Sequence, residues 1–314
     1  MQSNQFVLGI DGGGTKTLAW LASRSGTGRA SVVGRGEAGP ANPQAVGFPK
    51  AIEHLNRAVD AALDDAEVQP GPLAAAVLAL AGSDRDENRR VLQRWADERQ
   101  LAARFLVVHD ALPVLATGTP DGWGVALISG TGSLAFGQSP DGRSARAGGW
   151  GYLFGDEGSG YAIAMAGLRA VAMQADGRGE VTGLTEALLA RLSLAEPQQL
   201  IPAIYEIAAD RAAIALLARV VSDAGEQGDA VAQVILDEAA RELAVMVAAA
   251  ADKLGLSRDA FPLALAGGVL LGSEQIRTRL RDKLRTFGLH ANPIAIVAEP
   301  VLGAVQLAQA QARS

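Results

Sequence analysis

Residues 6–22 read Phe-Val-Leu-Gly-Ile-Asp-Gly-Gly-Gly-Thr-Lys-Thr-Leu-Ala-Trp-Leu-Ala, an apolar run, a glycine–threonine turn and a second apolar run. Two short apolar segments joined by glycines predict a β-hairpin. Working outward, residues 30–35 form a third strand after the Gly26–Gly28 turn. Asn42-Pro43 then leads into a helix over 44–66, whose Ile52, Leu55, Val59 and Leu63 recur at helical spacing. Residues 73–80 are a buried strand ending in Ala81-Gly82-Ser83, and a charged helix covers 84–100. Residues 105–108 are another buried strand ending at His109-Asp110, and 111–117 a short apolar helix. The order is βββ-α-β-α-β-α.

The opening then recurs. Val125-Ala-Leu-Ile-Ser129 passes through Gly130-Thr-Gly-Ser133 into Leu134-Ala-Phe136. A glycine-rich stretch, 148–160, opens a helix over 161–173, and an Ala/Leu-rich helical region fills 184–254. A strand over 262–266 ends in Gly267-Gly268. A helix at 273–287, a strand at 294–298 and a helix at 301–312 follow. This is one α/β unit duplicated, with helical insertions in the second copy. The predicted domains are residues 1–118 and 119–300, the last helix packing back on the first, with the boundary in the Gly-, Thr-, Pro- and Asp-rich segment 118–122.

Composition narrows the function. The chain has 314 residues, 49% apolar and 20% charged, which suits two globular domains. The net charge is −6 and no Lys/Arg run occurs, so no nucleic-acid partner is expected. Cysteine is absent, which excludes disulfides, thiolate zinc sites, cysteine nucleophiles and cysteine-held iron–sulfur clusters. No secretory signal pattern opens the chain, and apolar runs such as 244–251 fall far short of the ~18 residues a membrane helix needs. The expectation is a cytoplasmic protein with no membrane partner. A homodimer is possible, through the apolar 184–254 region.

Candidate site residues cluster at the turns. Gly12, Gly13 and Gly14 expose backbone N–H groups and put no side chain in the way of a phosphate, or else supply positive φ to a tight hairpin. Thr15 adds a hydroxyl, Lys16 a charge, and Asp11 a carboxylate able to hold Mg²⁺ through water. This is no P-loop, because Thr15 separates Gly14 from Lys16 and a strand follows. Gly130, Thr131 and Gly132 repeat the chemistry, and Gly267, Gly268 and Gly272 let a flat ligand approach a strand end. Asp110, after a strand, suits a general base; the competing reading is a helix N-cap. In Gly148-Gly-Trp-Gly-Tyr-Leu-Phe-Gly-Asp-Glu-Gly-Ser-Gly160, Trp150 can cover a sugar face and Asp156 can accept hydroxyl hydrogen bonds, or Asp156 and Ser159 cap the next helix. His109 reads as a packing or supporting residue, His54 as a helix-surface residue and His290 as a turn residue. No zinc spacing and no Gly-x-Ser-x-Gly elbow occurs.

Taken together, Gly9-Ile-Asp-Gly-Gly-Gly-Thr15, Asp110, Leu127-Ile-Ser-Gly-Thr-Gly-Ser133, Gly148-Gly-Trp-Gly151, Gly155-Asp-Glu-Gly158 and Ala266-Gly-Gly268 resemble the BadF/BadG/BcrA/BcrD ATPase family, and within it the N-acetylglucosamine kinases. The resemblance spans most of the chain. It implies an α/β fold of two RNase H-like, actin-like ATPase domains with ATP between them. It implies that Thr15 and Thr131 touch ATP phosphates, that Gly268 and Gly272 border the adenosine, and that Asp11 organises Mg²⁺. Asn42, Gly149, Trp150, Gly151 and Asp156 would contact an amino sugar, with Asp110 the base on its 6-hydroxyl. The absent cysteines set the chain apart from family members that activate dehydratases through an iron–sulfur cluster, and from ROK kinases with a cysteine zinc motif. Glucosamine kinase is the alternative, with Glu37 or Asp84 as the extra carboxylate, and muramic-type sugars a lesser one. A non-catalytic ATP- or sugar-sensing protein is the reading outside enzymes; no DNA-binding segment precedes residue 6 to support it.

Overall fold

The structure, a computed structural model, describes residues 3–69, 71–80 and 86–313. The chain divides into two compact units, residues 1–122 with 299–314, and residues 123–298. Unit 1 begins with β1 (Phe6–Gly12), β2 (Thr17–Ser23) and β3 (Val32–Ala38). It continues with α1 (Pro43–Asp65), β4 (Ala75–Leu80), α2 (Asp86–Glu98), β5 (Phe105–Val108) and α3 (Ala111–Gly118). Its sheet runs β3-β2-β1-β4-β5. The first three strands are antiparallel, and β1, β4 and β5 are parallel. Both faces are covered, so the central strands are apolar throughout. Leu8 and Ile10 pack with Leu55, Val59 and Leu92 on one face, while Val7, Ala75 and Val77 face the other way.

Unit 2 has β6 (Gly124–Ser129), β7 (Ser133–Gln138), β8 (Ser144–Gly148), α4 (Gly160–Ala175), α5 (Leu184–Leu192), α6 (Leu200–Glu206) and α7 (Arg211–Ala215). After these come α8 (Ala218–Glu226), α9 (Ala230–Leu254), β9 (Phe261–Ala266), α10 (Gly268–Gly272), α11 (Glu274–Thr286) and β10 (Ala291–Ile296). The sheet order, β10-β9-β6-β7-β8, repeats that of unit 1 strand for strand, with the same antiparallel and parallel partners. Strand β8, the counterpart of β3, is absent from the sequence expectation; its Ser-Ala-Arg-Ala-Gly alternates only with alanines and holds no β-branched or aromatic residue to announce it. The expected 184–254 helical region is five α-helices and one short 3₁₀ turn. Asp210 and Asp229 start two of them by accepting the N–H of Ala213 and Ala232. Helix α9 supplies Leu243, Met246 and Val247 to the core against the sheet.

The last helix, α12 (Pro300–Arg313), belongs to unit 1 and lies against β1, β4 and α3. Gly9 admits it: a Cβ there would stand 2.4 Å from the Val305 nitrogen. Gln309 donates to the Ser23 carbonyl at 2.9 Å, and Arg24 and Arg104 donate to the carbonyls of Ala312 and Gln311. Cations at a helix C-terminus complement its unpaired carbonyls.

Three further expectations change. Strand β5 is a sheet edge and not fully buried, since Leu106 is exposed. His54 is buried, not on the surface, and its Nδ1 lies 2.6 Å from the Pro40 carbonyl. The 44–66 helix breaks near its start, where Gly47 takes φ 77° and Pro49 follows. The Ala81-Gly82-Ser83 end and Asp84 lie outside the described residues. Among the described residues, no helix is long and apolar enough to cross a membrane.

Candidate functional site

In unit 1 the parallel strands β1, β4 and β5 bring their carboxyl ends to one sheet edge, where open α/β sheets place ligands. The hairpin turn stands there. Gly13 N–H donates to the Lys16 carbonyl at 2.9 Å, and Gly14, Thr15 and Lys16 are exposed. None of Gly12, Gly13 and Gly14 has positive φ. Positive φ is therefore not what glycine supplies here: Gly14 borders open space and leaves the turn bare, while a Cβ on the buried Gly12 would stand 2.5 Å from the Leu80 side chain. The segment before α1 is tied to the turn, with Ala41 N–H donating to the Gly13 carbonyl at 3.3 Å and Thr17 Oγ1 to Gly39 at 2.7 Å. The buried His54 holds the same segment at Pro40. Asn42 is thus brought to this edge, but its Oδ1 caps α1 by accepting the Gln44 N–H at 2.9 Å.

Asp11 and Asp110 face this edge. Burial, with the nearby Asp110 charge, pushes the Asp11 carboxyl up to about 7, against the opposing pull of Lys16. Asp110 does not cap α3: its carboxylate accepts nothing from that helix, and its Oδ1 is buried with no hydrogen bond. The Nδ1 of His109 lies 2.9 Å from that oxygen but takes the Ala111 N–H at 3.1 Å. An orphaned carboxylate oxygen in a native fold calls for an explanation, and a catalytic role for the carboxyl group is one that fits. A divalent cation also fits beside Asp11, because its charge would offset both carboxylates. Among the described residues no group of three or more His, Asp or Glu could ligate a metal.

In unit 2 the corresponding edge is built differently. Gly130 N–H donates to Gly132 at 2.9 Å, and Gly160 N–H to Gly130 at 2.8 Å. Gly267, at the end of β9, has φ 93°, and a Cβ on it would lie 2.3 Å from the Ser129 carbonyl. Only glycine satisfies both demands. Gly268 comes close to Gly130, while Gly268 and Gly272 border open space. The structure thus brings Gly130, Thr131, Gly132, Gly267 and Gly268 together.

Asp156 joins the same edge. It is buried and takes φ 61°, unusual for a residue with a side chain. Its carboxylate accepts the N–H groups of Ser133 and Gly151. Burial raises its pKa, opposed by those N–H groups and the Arg211 charge. Gly132 makes room for it: a Cβ there would stand 2.9 Å from Oδ2. Ser159, not Asp156, caps α4 by accepting the Ala162 N–H at 3.2 Å. The hydroxyls of Ser129 and Ser133, which sequence reasoning passed over, donate to Gly158 and Glu157 at 2.8 and 2.6 Å and pin this loop to the turn. Two seryl residues flanking Gly-Thr-Gly were the available sign. Trp150 is 64% exposed, with the Arg146 guanidinium 5.5 Å from its ring centre.

Known proteins share this organisation. The chain is 33% identical to an N-acetylmuramic acid/N-acetylglucosamine kinase of Clostridium acetobutylicum, over 98% of this chain and 99% of that one. It is 30% identical to an N-acetyl-D-glucosamine kinase of Dictyostelium discoideum, over 98% of each. A solved candidate N-acetylglucosamine kinase from Chromobacterium violaceum superposes with a TM-score of 0.77 at 26% identity, covering 97% of this chain and 99% of that one. The model of one family matches residues 8–308, nearly the whole length, and the chain belongs to the BadF/BadG/BcrA/BcrD ATPase family.

Proposed function

We propose that the protein transfers the γ-phosphoryl group of ATP to the 6-hydroxyl of an amino sugar, N-acetylglucosamine first, giving ADP and the 6-phosphate. The observation that carries this reading is the buried Asp110 Oδ1, which has no hydrogen bond and stands at the sheet edge that bears the bare glycine turn. The sugar hydroxyl donates to the Asp110 carboxylate and loses its proton to it as its own oxygen bonds phosphorus, while the bond from phosphorus to the ADP oxygen breaks. The N–H groups of Gly12, Gly13, Gly14, Gly130 and Gly132, the hydroxyls of Thr15 and Thr131, and Lys16 hold the phosphates. Gly267, Gly268 and Gly272 border the adenosine. Mg²⁺, held through water by Asp11, would neutralise phosphate charge. Asn42, Gly149, Trp150, Gly151 and Asp156 take the sugar. The names of the two relatives above favour an N-acetylated acceptor over glucosamine.

A coupled ADP-release assay tests this, with N-acetylglucosamine, N-acetylmuramic acid, glucosamine, glucose and no sugar. Strongest stimulation by N-acetylglucosamine is expected. ADP release unchanged by every sugar would reject the kinase reading and favour a sensor.

A further inference from the structure

We infer that His109 is a positioning residue: its imidazole caps helix α3 in the place of Asp110 and so keeps the Asp110 carboxylate uncommitted to the helix and available to the acceptor hydroxyl. The inference rests on Asp110 being the base. An N-cap residue does two things: its carbonyl accepts the first helical bond, and its side chain accepts a free N–H of the first turn. His109 does both. Its carbonyl accepts the Leu112 N–H at 3.0 Å and its Nδ1 the Ala111 N–H at 3.1 Å. Asp110, one residue on, already has helical φ −60° and ψ −20°, and makes no capping bond.

This division of labour runs against type, since aspartate is among the preferred caps and histidine is not. It follows from geometry. A nitrogen that accepts the Ala111 N–H cannot also donate to Asp110 Oδ1 at 2.9 Å, so the ring's proton sits on Nε2 and the oxygen keeps its lone pair. The imidazole is buried, which fixes its orientation. If alanine replaced His109, the Ala111 N–H would have no acceptor, and the adjacent carboxylate would be the nearest available one. Capping would then compete with catalysis for the same carboxylate.

Two measurements decide it. In ¹⁵N-histidine-labelled protein near neutral pH, with resonances assigned through His54 and His290 variants, His109 should show an unprotonated Nδ1 and a protonated Nε2. A proton on Nδ1 overturns the inference whether or not the protein is a kinase. In the coupled assay, His109→Ala should lower kcat about 10-fold or more, since misplacement of a reacting group is costly, with both KM values within about 3-fold. His109→Asn, whose amide oxygen can take the Ala111 N–H, should recover kcat to within about 3-fold of the parent. Equal loss in both variants, or no loss in His109→Ala, overturns the positioning role. Absence of sugar-dependent turnover in the parent sinks the kinase reading instead, and the tautomer still settles the cap.

Discussion

The two units place a hairpin turn at the same point of the same sheet topology, yet they equip it in opposite ways. Strand β1 reaches its turn as Ile10-Asp11-Gly12, and β6 reaches its own as Ile128-Ser129-Gly130. Ser129 is fully buried and spends its hydroxyl on the Gly158 carbonyl. Asp11 is a carboxyl held up to about 7, partly by a second acid, Asp110, whose Oδ1 has no hydrogen bond. The acid near the second turn, Asp156, is committed to two backbone N–H groups. Unit 2 is thus a satisfied frame, and unit 1 carries the unsatisfied charge. Two copies of one sheet plan thus carry different side chains at the equivalent turn.

The sharpest break of that contrast is Asp110→Asn. Loss of a general base typically lowers rate about 10²–10⁴-fold. Steady-state kinetics should show a fall of that size in kcat, while ATP affinity by calorimetry stays close to the parent value. Near-normal turnover would place the chemistry elsewhere.

Gly267→Ala attacks the frame. The new Cβ falls on the Ser129 carbonyl at a φ that side chains avoid, a strain on the order of 1–3 kcal/mol. Relief requires moving Ser129 and Gly130, so the expected outcome is a rise of about 10-fold or more in the KM for ATP, with a smaller change in kcat. A variant with parental KM would show that this strand end does not shape a nucleotide site.

Thr15→Val and Thr131→Val compare the turns directly. A hydrogen bond to a charged group contributes roughly 1.5–3 kcal/mol, so each loss should raise the KM for ATP by about 10-fold. Similar effects from both would support duplicated phosphate grips; an effect from Thr15 alone would confine the grip to unit 1.

Much of this plan was legible in the chain. The Phe6–Ala22 hairpin and its repeat at 125–136 announce the duplication through apolar runs and glycines, a purely local signal. The role of each glycine was not legible. Glycine at 12–14 suggested positive φ as readily as bareness, and only backbone angles separate the two. Strand β8 was missed because its pairing with β7 comes from the sheet, not from its own residues. His54 was misplaced because its partner is a backbone carbonyl fourteen residues away. Asp110 stood out by position, while its freedom from capping depends on the ring of His109, which no spacing rule reveals.

The smallest effect tests the charge on which the contrast turns. The folded-state pKa of Asp11, about 7, lies above its ordinary 3.8. Below about pH 4 both folded and unfolded chains hold the proton, and the site is neutral to stability. As pH rises towards 7 the unfolded chain releases that proton while the folded one keeps it, so stability falls, and above 7 the full penalty remains. Asp11→Asn removes this slope. Without metal, the variant's Tm relative to the parent should therefore climb between pH 5 and pH 8 by several degrees, on the order expected for about 2–3 kcal/mol. Adding Mg²⁺ at pH 8 should close the gap by raising the parent alone. A Tm difference that ignores both pH and Mg²⁺ would mean that Asp11 carries no unsatisfied charge, and that the two sheet edges are more alike than their residues suggest.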